Sequence, residues 1–277
     1  MPVRVVQSKQ NARLKELRRA LSKPPRAGDT LAGIEGPNLI REAVRANASL
    51  PCVFVAQGYE HLLNELFLLP ETEVLAVPAA VLSSILATEA PQPIAALVEP
   101  RQWEWDHLFS GLRNTASLIV VLAGLQDPGN LGTIVRSAEA FGATGIVCLP
   151  GTVSAWNPKA VRASAGSIFR IPMISTSMEE CLLRLHEHDV TLYTTATHHA
   201  KEIHRSDLTR AVALIIGNEG NGVPHEVARQ ADGALTIPYP GPVESLNAAI
   251  AASVLLYESA RQRAAAPASA QRLGSAR

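Results

Sequence analysis

The sequence has few aromatic residues, few cysteines and no net charge. Phe, Trp and Tyr make up 4% of its 277 residues. Its core must therefore rest on Ala, Val, Leu and Ile, and an apolar content of 47% excludes a wholly disordered chain. The three cysteines, Cys52, Cys148 and Cys181, stand far apart. This excludes a cysteine metal motif and a disulfide framework, and fits a reducing compartment. All three read as small buried hydrophobes. The longest strongly apolar run, residues 118–125, falls well short of the ~20 residues of a membrane span. The opening Met-Pro-Val-Arg lacks the apolar core of a secretory signal. A soluble, cytoplasmic protein with no membrane partner is expected. The dinucleotide fingerprint, the P-loop and the nucleophile elbow are all missing. His186 and His188, and the group His198, His199 and His204, lack carboxylate or cysteine partners at ligand spacing, so no metal is expected.

The charge balance of zero, 25 basic against 25 acidic residues, is a sum of unlike parts. Residues 1–26 hold eight basic side chains and one acid, a local charge of +7, which leaves the rest at −7. Residues 8–21 read as a helix capped by Ser8 or Asn11, with Leu14, Leu17 and Leu21 on one face. Its other faces carry Lys9, Arg13, Lys15, Arg18 and Arg19. A solvated face is one reading; a phosphate-contacting helix is the other, favoured by the scarcity of interleaved acids. A turn-rich stretch follows, then a helix through residue 46, then strands at 51–56, 74–77 and 94–98. These form a small α/β domain, residues 1–98, with a linker at 99–116.

From residue 117 to 263, short apolar runs at 118–125, 145–149, 191–195, 211–216 and 234–237 alternate with helix patterns at 132–141, 178–188 and 246–261. Continuous apolar strands alternating with helices imply a parallel sheet buried on both faces. Residues 264–277, rich in Ala, Ser and Arg, read as a disordered tail.

Three segments follow strands, where ligands of open α/β sheets bind. The first, Gln-Asp-Pro-Gly-Asn-Leu-Gly at 126–132, is a strand-to-helix turn in which Asn130 can cap the helix, and Arg136 lies one to two turns inside it. The second, Gly-Asn-Glu-Gly-Asn-Gly at 217–222, holds three glycines in six positions and a central carboxylate, Glu219, able to bind a hydroxyl, a cation or a guanidinium. The third runs from Ile237 and Pro238 through three prolines to Ser245, Leu246 and Asn247, with Ser245 placed to cap an alanine-rich helix.

In order and spacing these segments resemble the three signature motifs of the SpoU (TrmH-like) branch of the SPOUT RNA methyltransferases. The N-terminal half resembles, more weakly, the L30e-like domain that precedes many such enzymes. The resemblance implies a C-terminal α/β trefoil knot and a homodimer formed through it. It also implies S-adenosylmethionine bound by loops that include Thr195, Ala196, Gly217, Asn218, Gly222, Ile237, Pro238 and Leu246. The reaction implied is methyl transfer to a ribose 2′-OH, with ribosomal RNA favoured over transfer RNA.

The same resemblance places Arg136 on the target hydroxyl or its phosphate and has Asn130 and Asn247 orient the nucleotide. Glu219 would pair with the arginine, and Ser245 would bind near the target phosphate. Arginine stays charged below pH ~12, so a binding role for Arg136 is preferred to that of a general base. The alternatives are a transfer-RNA enzyme, a knotted RNA-binding module without catalysis, and a Rossmann-type metabolic enzyme. All five polar positions are present, which argues against a silent module, and the missing fingerprint argues against the Rossmann enzyme.

Overall fold

The computed structural model describes residues 3–25, 30–86, 88–109, 115–196 and 200–266. Arg26, Asn114, Thr197, His198, His199 and the tail from residue 267 lie outside the described residues. In chain order the first elements are β1 (Val3–Val5), α1 (Ala12–Ser22), β2 (Ala32–Glu35), α2 (Pro37–Arg45), β3 (Cys52–Ala56), β4 (Glu73–Val77), α3 (Ala79–Ser83) and β5 (Ile94–Val98). Then come α4 (Trp105–Phe109), β6 (Leu118–Ala123), α5 (Pro128–Ala140), β7 (Gly145–Cys148), α6 (Pro158–Ala163), β8 (Met173–Ser175), α7 (Met178–Glu187) and β9 (Thr191–Thr195). The series ends with β10 (Lys201–Glu202), β11 (Val212–Gly217), α8 (His225–Ala228), β12 (Gly233–Thr236) and α9 (Ala248–Ala265).

Two compact units result. The first comprises Met1–Gln102 with Ser154–Arg170, and the second Trp103–Val153 with Ile171–Arg277. The excursion of 154–170, with α6, into the first unit has no counterpart in the sequence pattern. Gly166 there takes a left-handed φ of 93°, and Arg170 pairs with Glu42 of α2 at 2.7 Å.

The first unit is a five-stranded mixed sheet in the order β1-β4-β3-β5-β2. Strand β2 lies in the stretch read as turns; its Ala, Gly, Ile and Glu are too few and too mixed to show a period. Helix α1 buries Leu14, Leu17, Ala20 and Leu21 against Phe54, Leu75 and Leu97. Of the two caps considered, Asn11 is the one used, its side chain accepting from the Arg13 and Leu14 amides.

The second unit is a seven-stranded parallel sheet in the order β10-β12-β9-β11-β6-β7-β8. Its centre, β11, is buried along its whole length, as both-face burial of a parallel strand requires. Helix α4 corrects the linker at 99–116: Leu108 is fully buried against Ile119 and Val147, and a Cβ on Gly145 would overlap it. Helix α9 runs four residues past the expected end at 261, so 264 and 265 are helical rather than tail. Among the described residues no helix is long and apolar enough to cross a membrane.

The far end of α9 is fixed by Arg263. Its guanidinium donates to the carbonyls of Leu208 (2.9 Å), Ser117 (2.9 Å), Arg210 (2.6 Å) and Ala116. Burial brings its pKa down to about 10, yet it remains charged at neutral pH. One planar fork thereby ties the last turn of α9 to the chain entering β6 and β11. A point-like ammonium cannot make four such bonds at once. Arg263→Lys should lower the unfolding free energy by about 2 kcal/mol, read from the urea midpoint at unchanged slope. An unchanged midpoint would show that the carbonyls are satisfied without it.

Candidate active site

Strands β12, β9, β11 and β6 are adjacent and parallel, so their carboxyl ends open on one edge of the sheet. Thr195 ends β9, Gly217 ends β11, and Ile237 and Pro238 follow β12. Gly217 is in register with Ala123 of β6, which sets the 217–222 loop beside the turn leading into α5. The three segments singled out above therefore emerge side by side.

Hydrogen bonds join them into one network. The Glu219 carboxylate accepts from the Asp127 amide (3.1 Å), the Gln126 amide (3.3 Å) and the Asn130 Nδ2 (3.0 Å). The Asn130 Oδ1 accepts in turn from the Asn247 Nδ2 at 3.1 Å. The Asn247 Oδ1 then caps α9 by accepting from Ala249 and Ile250. One chain of side chains thus ties the second segment to the first and the first to the third. It also settles both caps differently from the sequence reading. Asp127, not Asn130, caps α5, by accepting from the Asn130 amide at 2.9 Å. Asn247, not Ser245, caps α9, because the helix begins two residues later than the proline-rich stretch suggested.

The 217–222 loop is held by Asn218. Its Oδ1 accepts from the Gly220 and Asn221 amides, its Nδ2 donates to the Gly124 carbonyl (2.9 Å), and its backbone pairs with Gly222 in both directions. Both ends of this amide serve the loop, so Asn218, expected as a cofactor ligand, shapes the site through its neighbours. The loop closes so tightly that a Cβ on Gly217 would overlap the backbone of Gly222 and Val223.

Burial pushes the Glu219 carboxyl up, but the Asn130 amide and the backbone N–H groups of residues 126, 127 and 219 outweigh it and hold it below the usual range. Its hydrogen-bond partners are amides, so the expected pairing with Arg136 is not present. Arg136 lies six residues beyond Asn130, about 120° around α5, and is exposed. Among the described residues it makes no hydrogen bond or ion pair. Ser245 is also exposed, on the proline-rich loop. Thr195 is half-buried, its hydroxyl bonded to the Ile215 carbonyl at 3.0 Å, and Ala196 donates its amide to Leu235. Ile237 and Leu246 are half-buried.

On the α5–α9 side lies a feature the sequence reading missed. Thr133, Phe141, Ala249, Ile250, Val254 and Tyr257 line a shallow, almost wholly apolar hollow of about 260 Å³. Ile250 and Tyr257 are each 55% exposed. The alternation of Ile250, Val254 and Tyr257 at helical spacing was the available signal. Among the described residues no three His, Cys, Asp or Glu side chains gather as a metal would require.

Residues 117–257 match the SpoU rRNA Methylase family, and residues 11–96 match the MRM3-like substrate binding domain. The chain belongs to the SpoU rRNA methylase family. It is 31% identical over 252 residues to the 23S rRNA (guanosine(2553)-2′-O)-methyltransferase RlmP of Bacillus subtilis, covering 91% of this chain and 97% of that one. It is 38% identical over 148 residues to the 23S rRNA (guanosine-2′-O-)-methyltransferase RlmB of Xanthomonas campestris, covering 53% of this chain and 59% of that one. Among solved structures it resembles the SpoU methyltransferase AviRb of Streptomyces viridochromogenes in complex with AdoMet. That match has a TM-score of 0.84 and 29% identity, and covers 93% of this chain and all of that one. An AdoMet-bound rRNA methyltransferase of Sinorhizobium meliloti matches with a TM-score of 0.80 at 29% identity, covering 94% and 98%. Within the SpoU family frame, the Glu219 network becomes the part that shapes the site.

That network predicts its own pH dependence. Glu219 has a lowered folded pKa, so the order it confers is complete above the ordinary carboxyl range and is lost as pH falls through the lower folded value. Amide exchange at Gln126 and Asp127 should stay slow at pH 4.5, relative to unstructured peptide, and lose protection only below it. Glu219→Ala should remove that protection at every pH. Exchange unaffected by the substitution would show that the bonds to these amides do not hold the turn.

Proposed function

We infer that the protein is an S-adenosylmethionine-dependent RNA methyltransferase that transfers a methyl group to a ribose 2′-OH of ribosomal RNA. The observation that carries this is the joining of all three SpoU segments by the Glu219–Asn130–Asn247 chain at the carboxyl ends of four adjacent parallel strands. The residues there fit the cofactor. Thr195, Ala196 and Gly217 present small side chains and backbone at the strand ends, suited to an adenosine, and Ile237, Pro238 and Leu246 add half-buried or exposed apolar walls. When bound, S-adenosylmethionine supplies a methyl group already activated on a sulfonium.

The protein's part is to position the hydroxyl and exclude other geometries, and orientation of this kind is worth ~7–11 kcal/mol in favourable cases. Arg136, exposed and without a protein partner among the described residues, is available to bind the target hydroxyl or its phosphate. Asn130 and Asn247 fix the floor of the site, Glu219 holds Asn130, and Ser245 stands on the loop that meets the RNA backbone. Two of the relatives named above, RlmP and RlmB, are 23S rRNA guanosine 2′-O-methyltransferases, so 23S rRNA is the first substrate to test.

In the first unit, Lys15 and Arg18 are exposed on α1, Lys9 is exposed on the turn before it rather than on the helix, and with Arg19 they form the surface proposed to meet RNA phosphates. Arg13 departs from that set: its guanidinium binds Glu16 at 2.9 Å and Glu73 at 3.1 Å, so its charge is already balanced. We further propose that the second unit is the knotted fold expected of the family and that two copies pair through the α5–α9 hollow. Exposed Ile250 and Tyr257 and the small lining residues support that pairing, since closely packed apolar surface of this kind is covered in stable proteins.

Two outcomes follow. Arg136→Ala should cut methyl transfer to 23S rRNA by at least about 10²-fold, while calorimetry finds S-adenosylmethionine binding retained. Near-normal turnover by that variant would overturn the assignment. Ile250→Lys with Tyr257→Glu should convert a dimer to a monomer in sedimentation. A parent protein that sediments as a monomer would contradict the pairing.

A further inference from the structure

Strand β6 is clasped at both ends by threonines that flank β7. At the amino end the Thr144 hydroxyl accepts from the Leu118 amide and donates to the Leu118 carbonyl, each at 3.2 Å. At the carboxyl end the Thr152 hydroxyl accepts from the Gly124 amide at 3.2 Å and donates to the Leu122 carbonyl at 2.9 Å. The chemistry is the same and the location is not. Thr144 lies at the edge of the sheet opposite the site, whereas Thr152 closes the turn that opens the first functional segment.

Gly124 turns the chain out of β6 with a left-handed φ of 74°. Both of its backbone polar groups are held by side chains. Its N–H goes to Thr152, and its carbonyl accepts from the Asn218 Nδ2 at 2.9 Å. The carbonyl of Leu125 accepts from the Val153 amide at 2.8 Å, and the Gln126 and Asp127 amides go to Glu219. The turn is thus held from two sides, by residues 152–153 after β7 and by residues 218–219 after β11. Asn218 and Glu219 stand on a glycine loop. Thr152 is referred to the sheet itself, since its own amide donates to the carbonyl of buried Leu149 at 3.1 Å. The turn leads into α5, which carries Asn130 and Arg136. We propose that Thr152 is a positioning residue for methyl transfer: it fixes the exit of β6, and through it the placement of Asn130 and Arg136 relative to the cofactor loops. This rests on the RNA methyltransferase reading above. A displacement of about 1 Å in groups of this kind can cost about 10²-fold in rate.

The test uses the full-length protein with S-adenosylmethionine and 23S rRNA from cells lacking the gene. Thr152→Val keeps the shape and loses the hydroxyl, so kcat should fall at least about tenfold while calorimetry finds S-adenosylmethionine affinity unchanged. Thr152→Ser keeps both bonds and should restore kcat. Thr152→Ala, which puts no methyl group in the hydroxyl's place, should match Thr152→Val in every readout. Thr144→Val loses the matching pair at the other end of β6, so it should lower the urea midpoint and leave kcat at the parent value. In the protein without RNA, amide exchange at Gly124 should quicken in Thr152→Val and stay slow in Thr152→Ser.

Thr152→Val with the parent kcat overturns the proposal. So does an equal loss of kcat in Thr144→Val, which would tie the loss to stability, or in Thr152→Ser, which would tie it to the missing methyl group. A loss of S-adenosylmethionine affinity in Thr152→Val would place the residue with the cofactor loops and overturn it as well. Methyl transfer by the parent protein separates the two levels. No transfer by the parent overturns the enzyme reading and this inference with it, whereas equal transfer by the parent and by Thr152→Val tells against Thr152 alone.

Discussion

One carboxylate organises the site. Glu219 sits on a loop whose glycines give it little stiffness of its own. By accepting from two backbone amides and from Asn130, it fastens that loop to the start of α5. Asn130 passes the constraint to Asn247, which caps α9 with its remaining oxygen. Remove the carboxylate and three segments, the outer two joined by residues 117 apart in sequence, lose their common reference. The contacts are individually modest and partly exposed, so their value lies in placing groups and little in stability. Stability comes from the buried sheet beneath, where β11 lies between β6 and β9, and from Arg263, which closes the far end of α9.

The zero net charge acquires a structural meaning. The basic N-terminal segment is an excess of +7 in sequence, but the fold spends part of it internally, since Arg4 and Arg13 are balanced by Glu73 and Glu16. What is left is a smaller set of exposed cations on α1 and the residues flanking it. The second unit needs no such surplus, because its cofactor brings a positive sulfonium and Arg136 supplies a local cation.

The central strands were legible in the sequence because burial on both faces makes them continuous apolar runs, and 191–195 came out as β9 to the residue. The three functional segments were legible for a similar reason: glycine, proline and asparagine in dense clusters have few uses other than tight turns. Short edge strands such as β1, β8 and β10, and the mixed β2, carry too few residues to show a period. Helix α4 hid because a single buried leucine, Leu108, holds it. The caps were misassigned because Asn, Asp and Ser all suit the role, and only the true first turn decides among Asp127, Asn130, Ser245 and Asn247. The separation of Arg136 from Glu219 depends on which way each side chain points, and no motif spacing contains that.

The central claim is that this chain methylates a ribose in ribosomal RNA. Its most direct test is a map of 2′-O-methylation across 23S rRNA from cells with and without the gene. The account predicts one ribose methyl group missing in the deletion and restored by the intact protein. A methylation map identical in both would contradict it.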